Sequence, residues 1–280
     1  MQVEVNGARL FFDTVGSALA IDGERMAQRP TMLVLHGGPG FDHSVMRPYF
    51  DRFADTHQII YLDHRGNGRS EGADGWTLDQ WADDIAGFCR VLGIDRPVIY
   101  GLSFGGMVAM AYASRHPDGP SKVILASTAG RMDLPATYAA MERLGGAQAR
   151  RIAEAFWSSP SADKAAEYMS VCLPLYNPSG ALGDDDARKR AIMRTEVMFH
   201  FIEHEQAAMD LLPGLAAVTC PALVLAGALD PITPPGCSQA IHAALPPGRS
   251  ELVVFDDAGH GVHRDQPDRA EAVIRAFLAA

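Results

Sequence analysis

The pentapeptide Gly101-Leu102-Ser103-Phe104-Gly105 constrains this chain more than any other feature. It stands between a short apolar run, Pro97-Val98-Ile99-Tyr100, that reads as a buried strand, and a helical pattern from Phe104 to Arg115. A strand that turns into a helix within so few residues leaves little room beside the serine, which is why small residues flank it. Such a turn lifts the hydroxyl clear of the sheet. The helix beyond it aims its free N–H groups and the positive end of its dipole at the same point. Read alone, a Gly-Ser-Gly run would pass for a flexible loop; the strand before it and the helix after it weigh against that.

The rest of the chain repeats this strand–helix rhythm. A hairpin over Val3–Val5 and Leu10–Val15 turns at Asn6-Gly7, a pair suited to tight hairpin turns. Strands are expected at Met32–Leu35, Gln58–Leu62 and Val123–Ala126. Helices are expected over His43–Ala54 and from Thr77 to Leu92, where Thr77 is the N-cap and Gln80 holds the capping-box position. The alternation implies a mostly parallel sheet covered on both faces. From Arg131 to Pro213 the rhythm breaks into helical patterns without a core strand, punctuated by Gly145-Gly146, Ser158-Ser159-Pro160, Asn177-Pro178-Ser179-Gly180 and Gly183-Asp184. It resumes with a strand at Ala222–Ala226, a helix at Pro235–Leu245, a strand at Glu251–Phe255 and a last helix at Pro267–Leu278. The organisation expected is a core of residues 1–130 and 214–280, with residues 131–213 inserted as a helical cap over one edge of the sheet.

Composition narrows the partners. The chain has 280 residues, 48% hydrophobic and 21% charged, enough to bury a sizeable core. With 34 acidic against 24 basic residues the net charge is -10, which disfavours nucleic acid and anionic membranes. Met1–Val5 lacks a basic segment leading into an apolar one, and no run is long enough to span a bilayer. The four cysteines, Cys89, Cys172, Cys220 and Cys237, show no pairing or zinc-ligand spacing. They read as small buried hydrophobes of a cytoplasmic protein.

A serine hydroxyl needs a base within hydrogen-bond reach to act as a nucleophile. His260 follows the Glu251–Phe255 strand in Asp257-Ala258-Gly259-His260-Gly261, where the glycines let the loop carry the imidazole back over the serine; His263 is the competing choice. Asp230 closes the loop after the Ala222–Ala226 strand and is the candidate to orient that imidazole, although the following Pro231 also suits a plain surface turn. Ser103, Asp230 and His260 all fall at C-terminal strand ends, where the active sites of parallel sheets open. The anionic intermediate of acyl transfer needs donors. The backbone N–H groups of Phe104 and of Gly38, in the loop His36-Gly37-Gly38-Pro39-Gly40, are the candidates, with His36 holding the loop.

That loop, the segment Asp63-His64-Arg65-Gly66-Asn67-Gly68-Arg69-Ser70 and the serine turn together resemble the proline iminopeptidases of the α/β-hydrolase superfamily. The resemblance runs through the core on both sides of the cap. It implies an α/β-hydrolase fold with an eight-stranded, mostly parallel sheet, the chain order Ser, Asp, His, and no cofactor or metal. It also implies an aminopeptidase acting on small peptides, whose free amino group is anchored by acidic residues of the cap. The family's aminopeptidases carry Gly-Gly-Ser-Trp-Gly at the turn. Leu102 and Phe104 stand here instead, as in esterase-like and carbon–carbon-bond hydrolase branches, so a carboxylesterase or lactonase with the same residues is the alternative. A ligand receptor without turnover is a third class, disfavoured by the complete Ser, His, Asp set. In the cap, Glu196, His200 and Glu203 share a helix face at i, i+4 and i+7 and are the candidate substrate anchors, or else a solvated outer face. His200 and His204 have the spacing of a metal pair without a third ligand nearby. Cap methionines 132, 141, 169, 193, 198 and 209, with Phe156, Trp157 and Tyr168, suggest an apolar roof or cap core.

Overall fold

The first fifteen residues already fix one edge of the sheet. Strands β1 (Gln2–Val5) and β2 (Ala8–Val15) pair antiparallel across Asn6-Gly7, both at positive φ, 48° and 77°. This arrangement belongs to a computed structural model that describes residues 1–179 and 189–280. A second hairpin, β3 (Leu19–Asp22) and β4 (Arg25–Gln28), was not expected from the sequence. It pairs only with itself, and Leu19, Ile21 and Met26 are exposed, so no core-facing pattern marks it.

Strands β5 (Thr31–Leu35), β6 (Gln58–Leu62), β7 (Val98–Leu102), β8 (Lys122–Ala126), β9 (Ala222–Gly227) and β10 (Ser250–Phe255) run parallel. The order across the eight-stranded sheet is β1-β2-β6-β5-β7-β8-β9-β10. Register places Leu35 beside Gly101 and Leu102 beside Ala126, so the loops after β5, β7 and β8 leave from one edge.

Helices α1 (Leu78–Leu92) and α2 (Phe104–Arg115) follow β6 and β7. Between β8 and β9 lie α3 (Leu134–Ser158), α4 (Ala162–Val171) and α5 (Thr195–His200), and α5 runs on into a π-helical turn, Phe201–Glu205. Helix α6 (Pro235–Ala244) joins β9 to β10, and α7 (Val262–Asp265) and α8 (Pro267–Ala279) close the chain. Alternate residues of each strand feed opposite cores. Leu33 and Leu35 share a cluster with Ile85 of α1, Val108 of α2 and Ile241 of α6, whereas Met32 and Val34 share one with Phe50, Phe53 and Ile274 of α8. Helices therefore cover both faces. A third cluster, including Met141, Phe156, Tyr168 and Ile202, packs the segment between β8 and β9 against Ile232 in the loop after β9.

Two local expectations need correction. The helix expected over His43–Ala54 is two 3-10 turns, His43–Met46 and Tyr49–Asp55, because Pro48 has no N–H to continue a helical ladder. Thr77 does cap α1, accepting from the Gln80 N–H at 3.2 Å, but the Gln80 side chain donates to Asp84 instead of returning to Thr77, so only half of the capping box forms. Of the expected turns, Gly145-Gly146 is a kink inside α3 at Gly146 (φ 72°) and Ser158-Ser159-Pro160 ends that helix. Gly180 and the Gly183-Asp184 turn lie outside the described residues. The four cysteines are buried and free, and no helix among the described residues is long and apolar enough to cross a membrane.

Candidate active site

Ser103 connects β7 directly to α2 and holds φ 53°, ψ -117°. A non-glycine residue keeps such a conformation only when its surroundings impose it. The surroundings are visible. Its N–H donates to the Ala126 carbonyl at 2.9 Å, and its own carbonyl accepts from Thr128 Oγ1 at 2.7 Å and Gly106 N at 2.9 Å. The flanking glycines are required by space: a Cβ on Gly101 would collide with the Gly105 carbonyl oxygen, and one on Gly105 with that of Leu35. Helix α2 is thereby pressed against β5 and β7. The N–H of Phe104, its first residue, has no carbonyl one turn back within the helix.

His260 and Asp230 are brought together across the ends of β9 and β10. His260 Nδ1 lies 2.9 and 3.0 Å from the two Asp230 carboxylate oxygens. The carboxylate is buried and accepts from Ile232 N at 2.8 Å, Thr233 N at 3.0 Å and Thr233 Oγ1 at 2.8 Å. The turn after Asp230 thus fixes the carboxylate independently of the imidazole. With Nδ1–H facing the carboxylate, Nε2 is left as the acceptor. The His260 backbone N–H donates to the Tyr176 carbonyl at 2.7 Å, and the Tyr176 ring stands edge-on to the imidazole at 5.2 Å. Ser103 and His260 line one cavity beneath the helical segment, together with Gly37 and Gly38. His263, the competing choice, is instead buried against the Tyr49 and Phe50 rings, and burial holds its pKa well below the usual histidine value.

The glycine-rich loop after β5 is held from behind. His36 is fully buried, and desolvation lowers its pKa; its Nδ1 meets the Gly37 carbonyl at 2.7 Å and its Nε2 accepts from the His64 N–H at 3.3 Å. Asn67 Oδ1 accepts from Gly40 N at 2.6 Å, and Ser70 Oγ donates to the Asp63 carbonyl at 2.6 Å. The Asp63–Ser70 segment is therefore scaffold for the loop. Ligand atoms of Asp42, His43 and Asp63 come within 4.8 Å of one another. That space is already used: Arg69 donates to Asp42 at 2.6 Å, and Asp63 takes His43 Nδ1 at 2.7 Å and the Arg69 N–H at 2.9 Å.

The proposed cap anchors are a correction. Glu196 and Glu203 are both exposed, and neither lines the cavity. The row that faces inward is Met198, Ile202 and Gln206, and Glu203 follows Ile202 by one position, which turns it away. Met132, Met169 and Met198 line the cavity with Phe41, Phe156 and Trp157, while Met141 and Met209 are buried in packing clusters and Met193 is exposed. Among the described residues no aspartate or glutamate lines this cavity. Sequence reasoning missed Thr128, Thr233, Tyr176 and Gln206. Only Thr233 carried a local signal, a hydroxyl three residues beyond a turn aspartate.

The profile of the alpha/beta hydrolase fold family matches residues 30–267. A proline iminopeptidase of Pestalotiopsis fici is 28% identical over 289 residues, covering 99% of this chain and 98% of that protein. A thermophilic esterase from Thermogutta terrifontis superposes with a TM-score of 0.73 at 29% identity, over 100% of this chain and 98% of the other. An enol-lactonase from Burkholderia xenovorans superposes at 0.75 over 100% of both chains, at 22% identity, a likeness of fold.

Proposed function

The chain belongs to the α/β-hydrolase-fold family and is a hydrolase, and from that premise we propose that it works by acyl transfer through Ser103, His260 and Asp230 on a small ester with an apolar acyl group. Ser103 Oγ attacks the carbonyl while His260 Nε2 takes its proton. Asp230 holds the imidazole in the required tautomer and stabilises the imidazolium. The N–H groups of Phe104 and Gly38 receive the oxyanion. His260 returns the proton to the leaving oxygen, and water, deprotonated by the same imidazole, releases the acid.

The observation that carries the ester reading is the lining of the cavity: methionine and aromatic side chains, with no carboxylate among the described residues to meet a free ammonium group. An unpaired cation is costly to bury there. The similar Thermogutta protein, an esterase, supports the same reading. Aminopeptidase action is the second reading, favoured by the His36–Gly40 loop and by the similar Pestalotiopsis iminopeptidase. Steady-state hydrolysis of 4-nitrophenyl butyrate and of L-proline 4-nitroanilide, with Ser103→Ala as the blank, separates the two. Ester turnover far exceeding anilide turnover is expected; the reverse order would transfer the assignment to the aminopeptidase.

A further inference from the structure

Most polar side chains in the cavity wall are already engaged. Tyr168 Oη is 2.8 Å from Tyr176 Oη and accepts from Trp157 Nε1 at 3.3 Å, and Arg264 donates to the Val45 carbonyl at 3.3 Å. Apart from Ser103 and His260, that leaves Gln206. Its residue is 7% exposed, and its side chain makes no hydrogen bond among the described residues. An amide kept there serves no bond within the protein.

The backbone explains how it comes to be there. The Gln206 N–H donates to the Phe201 carbonyl at 2.8 Å, closing the wide i→i+5 turn of Phe201–Glu205. An α-helix has about 3.6 residues per turn, so a row at i and i+4 drifts around its axis. A wider turn reduces that drift and keeps Gln206 in line with Met198 and Ile202 along the cavity wall. Gln206, with Met132, Trp157 and Ile202, also borders a neighbouring hollow that contains Arg131, Glu203 and Asp210. The glutamine thus stands where an apolar chamber gives way to a polar one.

We infer that Gln206 forms a specificity subsite for a neutral hydrogen-bonding group, a hydroxyl or carbonyl, carried on the acyl chain beyond its apolar stretch. The inference rests on the hydrolase reading of this cavity. An acyl chain that is apolar throughout fills the chamber but leaves the amide unpaired, whereas a chain with a polar end satisfies it. A charged end is disfavoured, because the amide supplies no counter-charge.

The test is equilibrium binding, which needs no turnover. Methyl alkanoates of graded chain length and their ω-hydroxy counterparts are titrated calorimetrically into Ser103→Ala protein. At one chain length the hydroxy ester should bind about tenfold more tightly than the plain one, in keeping with the cost of leaving a buried polar group unpaired. Adding Gln206→Leu should remove or reverse that preference, and Gln206→Met serves if the leucine variant does not fold. A preference that survives both substitutions, no preference at any length, or no binding of either ester would overturn the inference. Tight, Gln206-dependent binding with no ester turnover by the wild type would instead leave the subsite standing and remove the ester reading.

Discussion

Asp230 spends its acceptor positions on fixed partners: two backbone N–H groups, the Thr233 hydroxyl and His260 Nδ1. An amide in its place would turn a donor toward one of these donors and favour the wrong imidazole tautomer. Asp230→Asn should therefore fold and still lose on the order of 10⁴-fold in kcat, the loss known when a buried triad aspartate is replaced in this way. Steady-state ester hydrolysis checks it, and near-normal turnover would point to another acid. By contrast, Glu196→Gln and Glu203→Gln change side chains away from the cavity, and each should alter ester kcat/KM by less than about twofold. The strand-end positions of Ser103, Asp230 and His260 were legible in the sequence because each stands in a local pattern there. The glutamates misled because a shared spacing of i, i+4 and i+7 tells which side chains share a face, not which way that face looks. Thr128 and Tyr176 act across 25 residues and through a backbone carbonyl, respectively, and neither leaves a local trace.

At the scale of elements, the junction of β7 with α2 decides the position of the serine. Gly105→Ala would drive a methyl group into the Leu35 carbonyl and push α2 away from β5, costing about 2–3 kcal/mol of stability. Chemical denaturation measures the cost, and a loss below about 0.5 kcal/mol would contradict the close packing claimed for this turn. The helical segment is tied to the core by apolar packing on Ile232 and by hydrogen bonds. Glu205 accepts from the Leu78 N–H at 3.0 Å, placing a carboxylate on the N-terminus of α1. Glu205→Ala should lower stability by about 1 kcal/mol by the same assay. The core strands were legible because apolar runs of five or six residues between turn residues have few other readings. Pro48 carried the signal for the break between the two 3-10 turns, but the expectation of one helix over His43–Ala54 passed over it. The π turn was not legible, since it depends on how the row Met198, Ile202 and Gln206 packs under neighbours distant in sequence.

For the whole molecule, three fully buried histidines contribute to the response to acid. Desolvation lowers the pKa of His36, and lowers those of His64 and His263 well below the ordinary value. Unfolded histidines titrate at about 6.5. Below that pH the unfolded chain binds protons that the native state refuses, so their contribution is complete above it and is lost as pH falls toward the lowered native values. Tm should be nearly level above neutrality and decline once pH drops below about 6.5. His263→Leu should make that decline shallower, and an unchanged slope would show that His263 is not one of the groups responsible. The fold as a whole was legible from strand–helix alternation, and the family match over residues 30–267 agrees with it. The apolar character of the cavity roof was legible in Met132, Met169, Met198, Phe156, Trp157 and Tyr168, but which cap side chains face inward was not, because the roof is assembled from α3, α4, α5 and core loops.

The central claim is that Ser103 is the nucleophile. A fluorophosphonate, which reacts with an activated serine, tests it most directly when the modified residue is identified by mass spectrometry. The structure predicts a single adduct on Ser103 that is absent from Ser103→Ala and forms far more slowly in Asp230→Asn. An adduct on another serine, or labelling of Ser103→Ala at the wild-type rate, would contradict the account.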